Sequence, residues 1–276
     1  MDRRPCLLAV HAHPDDESSK GAATVVRYSN GGVRCVLVSC TGGEAGQVLD
    51  PERNTGDLAD VRSAELRAAV AILGYESTHL LGYRDSGMDG AAVPGGFATI
   101  DGALVVRRLL EIMQRERPDV VVTYDAGYAA RHPDHQRCHE ATCAAFAAAA
   151  QGPWRPRKLY GCRTHSSGRL RAMHEWLITS GRTSPYTDAL AANTTDETTT
   201  RVAVGNELAI AQQALVAHRS QVATDDPWFF SVPVEVLREI YPFEDYVLMQ
   251  SHVPLKRGTD GYEDDLFAGI EGLIRR

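Results

Sequence analysis

The chain has 276 residues, 43% of them hydrophobic and 24% charged, and a formal net charge of −7. That length is enough for one large domain burying roughly three quarters of its unfolded surface. The acidity speaks against a general nucleic-acid binder, which carries a basic face, and no apolar run approaches the ~20 residues of a transmembrane helix.

Met1-Asp2-Arg3-Arg4-Pro5 runs straight into an apolar segment, which leaves no room for a signal peptide. The cysteines are Cys6, Cys35, Cys40, Cys138, Cys143 and Cys162, with no CxxC pair among them. Four lie in or beside strand-like runs, where a free thiol behaves as a small buried hydrophobe. A reducing, cytoplasmic setting is therefore expected.

Strand-like runs fall at 6–10, 33–40, 77–81, 119–124 and 158–163, with helix-like segments at about 18–29, 60–73, 101–116 and 134–150. Gly31-Gly32, Gly74 and Pro118 punctuate these units as helix stops do. Such alternation predicts βαβ units: a Rossmann-like α/β fold with a mostly parallel sheet flanked by helices. The long loops 41–58 and 82–98 follow strands and should overhang the same sheet edge. The polar stretch 180–200 reads as a mobile connection, followed by a helix near 204–219 and apolar segments at 228–241 and 245–252. The whole chain is expected to form one domain, with a βαβ metal-binding core at 1–165 and a substrate-shaping segment at 166–276.

Chemistry concentrates directly after two of the strands. His11-Ala12-His13-Pro14-Asp15-Asp16-Glu17 packs two imidazoles and three carboxylates into seven residues, an unfavourable cluster of like charge unless a cation holds it. His132-Pro133-Asp134-His135 follows Val120-Val121-Val122-Thr123-Tyr124. Both clusters fall at the carboxyl ends of strands, where open α/β sheets bind ligands. His13 and Asp16 share one side of a first helical turn. With His135 they make a two-imidazole, one-carboxylate set that leaves a metal position open, as catalytic zinc sites do. The same donors suit ferrous iron. Asp15 is then placed to accept a proton, and His132 to act as an imidazolium toward an oxyanion or departing amine. Either cluster alone also suits helix capping or a turn, and Glu17 and His11 read as structural. A nucleotide-binding reading is disfavoured, because carboxylates stand where GxGxxG would cradle a pyrophosphate.

These motifs resemble the LmbE-like, or PIG-L, zinc deacetylases, a family that removes acyl groups from N-acylglucosamine units. The resemblance runs from His13 through Thr24, then Thr41-Gly42-Gly43-Glu44, Asp85-Ser86-Gly87-Met88, Thr123-Tyr124-Asp125, Ala217-His218-Arg219-Ser220-Gln221 and Leu266-Phe267-Ala268-Gly269-Ile270-Glu271. Over nearly the whole chain it is nearest to the family's mycothiol S-conjugate amidases. It implies one zinc per chain on His13, Asp16 and His135, with Asp15 as general base. It also implies that Glu44, Arg84 and Asp85 line a pocket for sugar and inositol hydroxyls. Lys20 would face the part of the substrate carrying the cysteine conjugate, and His218 would either reach the site from the C-terminal segment or stand as an ordinary buried histidine. The family's usual tyrosine two residues before the first histidine of the second motif is Ala130 here. Tyr128 or Arg131 is the candidate replacement, or the activity has drifted to a different amide.

The expected activity is hydrolysis of the amide of an N-acyl-glucosaminyl-inositol, with a mycothiol S-conjugate preferred. The alternative is N-deacetylation of an N-acetylglucosamine-containing or natural-product intermediate. A non-catalytic sugar-binding protein on the same scaffold is a more distant reading. The expected partner is a small molecule, with no nucleic acid and no membrane; self-association as a homo-oligomer is left open.

Overall fold

Cys6-Leu7-Leu8-Ala9-Val10 has no polar face, and it becomes the middle of a sheet covered on both sides. In the computed structural model, which describes residues 3–49, 56–88, 94–192 and 197–273, this run is strand β1 (Cys6–His11). The others are β2 (Arg34–Thr41), β3 (Ser77–Tyr83), β4 (Val120–Tyr124), β5 (Lys158–Cys162), β6 (Thr200–Ala203) and β7 (Phe243–Ser251). They form one sheet in the order β3-β2-β1-β4-β5-β7-β6. The first five named in that order pair in parallel, whereas β7 runs antiparallel to both β5 and β6.

The helices are α1 (Asp16–Ser19), α2 (Ala22–Asn30), α3 (Leu58–Leu73), α4 (Gly102–Glu116), α5 (Ala126–Ala129) and α6 (Pro133–Ala149). The later part of the chain adds α7 (Ser167–Thr179), α8 (Thr187–Ala192), α9 (Leu208–Ala217), α10 (Pro227–Phe230) and α11 (Val234–Ile240). Side chains alternate across each strand and so build two cores. Leu7, Ala9, Leu37 and Val122 pack with Val26, Leu66, Leu170 and Leu208 on one face. Leu8, Val10, Val38 and Val121 pack with Leu109, Met113, Ala145 and Phe146 on the other.

The chain moves outward from β1 through β2 to β3, then returns to the opposite flank of β1 as β4 and β5. Strand order thus reverses between β1 and β4. Their pairing stops at Ala9↔Val122, at the switch point where such sheets usually bind ligands. Each histidine motif follows one of these two strands.

Several elements depart from the sequence expectation. The segment expected as one helix at 18–29 is broken into α1 and α2 at Lys20-Gly21. Gly21 adopts φ 75°, and a Cβ there would lie 2.8 Å from the Tyr246 hydroxyl. The start of α2 has no side-chain cap of its own. Instead Glu244, from β7, accepts the N–H groups of Ala23 (3.1 Å) and Thr24 (2.8 Å), an acidic group placed where helix N-termini favour one. Helix α7 and strand β6 were not anticipated. The stretch 180–200 is no plain connection, since it carries α8 and enters β6. Residues 193–196 of that stretch lie outside the described residues, as do 50–55 and 89–93 of the two long loops.

The C-terminal part is anchored by a buried polar knot. Lys158 and Glu263 are 0% and 1% exposed. Lys158 Nζ donates to Glu263 Oε1 at 2.7 Å, and the Tyr160 hydroxyl donates to Oε2 at 2.9 Å. Among the described residues no helix is long and apolar enough to cross a membrane.

Candidate active site and metal centre

The second motif is a helix N-terminus. His132 is the N-cap of α6, Pro133 occupies the first turn, and His132 Nδ1 accepts the Asp134 N–H at 3.1 Å, so an imidazole replaces the usual capping oxygen. Because Nδ1 is the acceptor, the neutral ring carries its proton on Nε2. His135, one position further along the first turn, then faces the first motif.

The first motif turns sharply out of β1. Asp15 has φ 107°, uncommon for a residue with a Cβ. The geometry is held from both ends: Asp15 N–H donates to Glu17 Oε2 at 2.9 Å, and the Asp15 carbonyl accepts from Ser18 and Ser19. Such strain persists where surrounding contacts over-determine it, often at functional sites. The turn brings Asp16 back toward β4, and Tyr124 at the end of β4 fixes it there. The Tyr124 hydroxyl accepts the Ala12 N–H and donates to Asp16 Oδ2, both at 2.6 Å.

His13 Nδ1 and His135 Nε2 each lie 3.4 Å from Asp16 Oδ2. One ligand atom from each of these three residues falls within 4.8 Å of the others. His13 Nε2 contacts Asp134 Oδ2 at 3.2 Å and lies 3.6 Å from Asp85 Oδ1. That leaves Nδ1 as the ligand face, with a carboxylate fixing the far side of the ring in the way metal-binding imidazoles are usually held. The donor set therefore fits a divalent cation. Two further features support the fit. Although burial opposes charge on His13, its contacts with Asp134, Asp16 and Asp85 hold its pKa well above the usual histidine value, so the cluster attracts positive charge. Burial lowers the pKa of His135, favouring the neutral form that ligates.

Asp15 stands beside this group without joining it. Arg62, buried in α3, donates to Asp15 Oδ2 at 2.9 Å, to the Gly43 carbonyl at 2.6 Å, and to the Pro14 carbonyl. Gly43 makes room for it: a Cβ there would lie 2.3 Å from the guanidinium carbon. Burial raises the Asp15 pKa, Arg62 opposes that rise, and Asp16 adds to it. Burial, with His13 and His135 nearby, pushes His132 down to about 4. That shift favours the neutral Nε2–H form of His132 over the imidazolium expected from the sequence.

The remaining expected residues divide. Asp85 is 5% exposed and turned inward, its N–H donating to Glu44 Oε1 at 3.0 Å, while neighbouring Arg84 is exposed. Lys20 is 6% exposed and donates to Asp16 Oδ1 at 2.6 Å, so it acts first on the ligand set. Tyr128 lies at the site with its ring stacked 5.6 Å from that of His135, and Arg131 is exposed beyond it. Of the two readings open for His218, the structure favours the buried one: it is 0% exposed and pairs with Glu17 Oε1 at 2.7 Å. Burial behind α1 removes it from the cavity. Three residues that the sequence left without a role are central: Tyr124, Asp134 and Arg62. Asp134 lies inside the second motif and Tyr124 ends the strand before it, but nothing local marks Arg62.

A cation group at the switch point of a parallel sheet, with a spare carboxylate beside it, is the arrangement of a metal-dependent hydrolase. Residues 8–146 match the family model described as PIG-L, GlcNAc-PI de-N-acetylase, and the chain belongs to that family. It is 38% identical over 290 residues to a mycothiol S-conjugate amidase of Streptomyces coelicolor, covering 96% of this chain and 97% of the relative. It is 37% identical over 291 residues to a 1D-myo-inositol 2-acetamido-2-deoxy-alpha-D-glucopyranoside deacetylase of Thermobifida fusca, covering 97% and 99%. The fold is also that of the N,N'-diacetylchitobiose deacetylase from Pyrococcus horikoshii, with a TM-score of 0.61 and 19% identity, over 88% of this chain and 83% of that one.

Proposed function

We propose that this protein hydrolyses the amide of an N-acyl-glucosaminyl-inositol, that its preferred substrate is a mycothiol S-conjugate, and that its metal is zinc on His13, Asp16 and His135. The observation that carries the reading is Asp15: a strained carboxylate held by Arg62 next to the ligand group and outside it. A zinc ion there supplies Lewis-acid polarisation of the carbonyl and a lowered pKa for water. Asp15 takes the proton from the attacking water. His132 presents Nε2–H to the carbonyl oxygen as charge develops on it, a contribution that does not require an imidazolium. Asp15 then returns its proton to the departing amine, leaving a free amino sugar and a carboxylic acid. Asp85, oriented by Glu44, offers acceptors for hydroxyls on the amine side.

N-deacetylation of acetamido-glucosaminyl-inositol is the second reading, favoured by nearly equal identity to relatives named for each reaction. Purified protein reconstituted with zinc, and separately with ferrous iron, is offered a mycothiol bimane conjugate beside N-acetylglucosaminyl-inositol. Faster release of amine from the conjugate is expected. Preference for the acetamide would replace the first reading with the second, and no hydrolysis of either would remove both.

A further inference from the structure

Behind Ser19 and His165 lies a cavity of about 110 Å³ whose lining is mainly apolar, with Arg169, Gln212 and Glu244 among it. Its walls come from the C-terminal half: Met173 of α7, Leu208 and Ala211 of α9, Trp228 and Phe230 of α10, and Val232. Its rim includes Ser19 and His165. Two short hydrogen bonds link the rim to the metal ligands, since Lys20 Nζ donates to Ser19 Oγ at 2.9 Å and to Asp16 Oδ1 at 2.6 Å. A line of rings makes the same connection. Tyr128 packs 5.6 Å from His135 and 5.5 Å from His165, and His165 accepts the Trp228 indole N–H at 2.9 Å.

Sheet topology sets the direction in which a substrate lies. Glu44 and Asp85 follow β2 and β3, on one flank of β1, whereas His165 follows β5 on the other. An amide centred on His13, Asp16 and His135 therefore has a polar wall on one side, and on the other the links through Ser19 and His165 to a mainly apolar cavity. The polyhydroxylated amine matches the first, and the acyl portion matches the second.

Resting on the amidase reading, we infer that this cavity binds an apolar substituent on the acyl side of the substrate and sets acyl selectivity. Its volume is somewhat below the ~150 Å³ of an engineered core cavity that takes benzene. A single ring or a branched alkyl group is of the size that such a space takes up. A pocket of this kind discriminates by roughly 10- to 200-fold for one methylene gained or lost.

The test compares S-methyl and S-benzyl conjugates of mycothiol with zinc-loaded wild type, Ala211→Phe and Val232→Phe. The wild type is expected to favour the benzyl conjugate in kcat/KM by at least about tenfold, and each filling variant to reduce that ratio about tenfold. A wild-type ratio near one, or a ratio that both folded variants leave unchanged, overturns the inference. A second arm is independent of turnover: titration with N-acetyl-S-benzylcysteine, expected to bind wild type at least about tenfold more tightly than Ala211→Phe. If neither conjugate is cleaved, the amidase reading fails and this titration decides the cavity. Equal binding to wild type and variant, or none to wild type, then overturns it.

Discussion

Two buried carboxylates in this molecule have the same immediate company and different surroundings. Asp16 accepts from Lys20 and Tyr124, each at 2.6 Å. Glu263 accepts from Lys158 at 2.7 Å and Tyr160 at 2.9 Å. Around Glu263 the account closes, since the Lys256 N–H adds a further donor at 3.0 Å. Around Asp16 it does not. Two imidazoles stand 3.4 Å away, Asp85 and Asp134 crowd His13, and a strained Asp15 adjoins. A carboxylate whose charge is met by lysine and tyrosine is a fastener. One with the same donors inside a surplus of negative charge is a cation site. Burial and pairing alone do not distinguish structural from chemical roles; the charge left over does.

Variants at the two centres test that contrast. Asp15→Asn should lower kcat by roughly 10²- to 10⁴-fold while zinc content, read by atomic emission, stays at the wild-type level. Normal turnover in this variant would remove Asp15 from the mechanism. Glu263→Ala should leave Lys158 buried without its counter-charge and cost about 3–5 kcal/mol in denaturant unfolding, with zinc affinity of the folded fraction unaltered. A zinc defect there would erase the distinction between the centres. The tyrosines separate them more finely. Tyr124→Phe is expected to weaken zinc binding by roughly 10- to 100-fold, and Tyr160→Phe to cost about 1–3 kcal/mol of stability without changing zinc affinity. The smallest effect concerns the Asp15 backbone. Asp15→Gly should be about 1 kcal/mol more stable than Asp15→Ala, because only glycine adopts φ near 107° without strain. Equal melting midpoints would mean that the turn stores no strain.

The parts of the site legible in the sequence are those whose partners lie close in the chain. His13, Asp15 and Asp16 share one turn, His132 and His135 share another, and strand-like runs before each motif place them on one sheet edge. The sheet is legible at β1, β2 and β4, where Val/Leu/Cys runs reflect burial on both faces. Strand β6 was hidden because Thr200-Arg201-Val202-Ala203 is short, sits at an edge and follows a threonine-rich stretch. Arg62 was hidden for a different reason. Its contacts with Pro14 and Asp15 span 48 and 47 residues, and an arginine in the first turns of a helix looks like any solvated residue. His218 stands between these cases: the motif match located it in the chain and left its burial open, because its partner Glu17 lies 201 residues away.

The cap that Glu244 places on α2 has a consequence for synthesis. This carboxylate joins the chain 221 and 220 positions after the two amides that it serves. While the protein is being made, both histidine motifs leave the ribosome before the residue that secures the helix following the first of them. A shortened product ending ahead of β7 would hold every proposed zinc ligand and still lack that cap. Contacts of such long sequence separation slow folding, so the nascent chain is expected to acquire metal-binding groups early and a finished binding site last. Pulse-labelled amides of Ala23 and Thr24 should gain protection only after β7 has paired with β5.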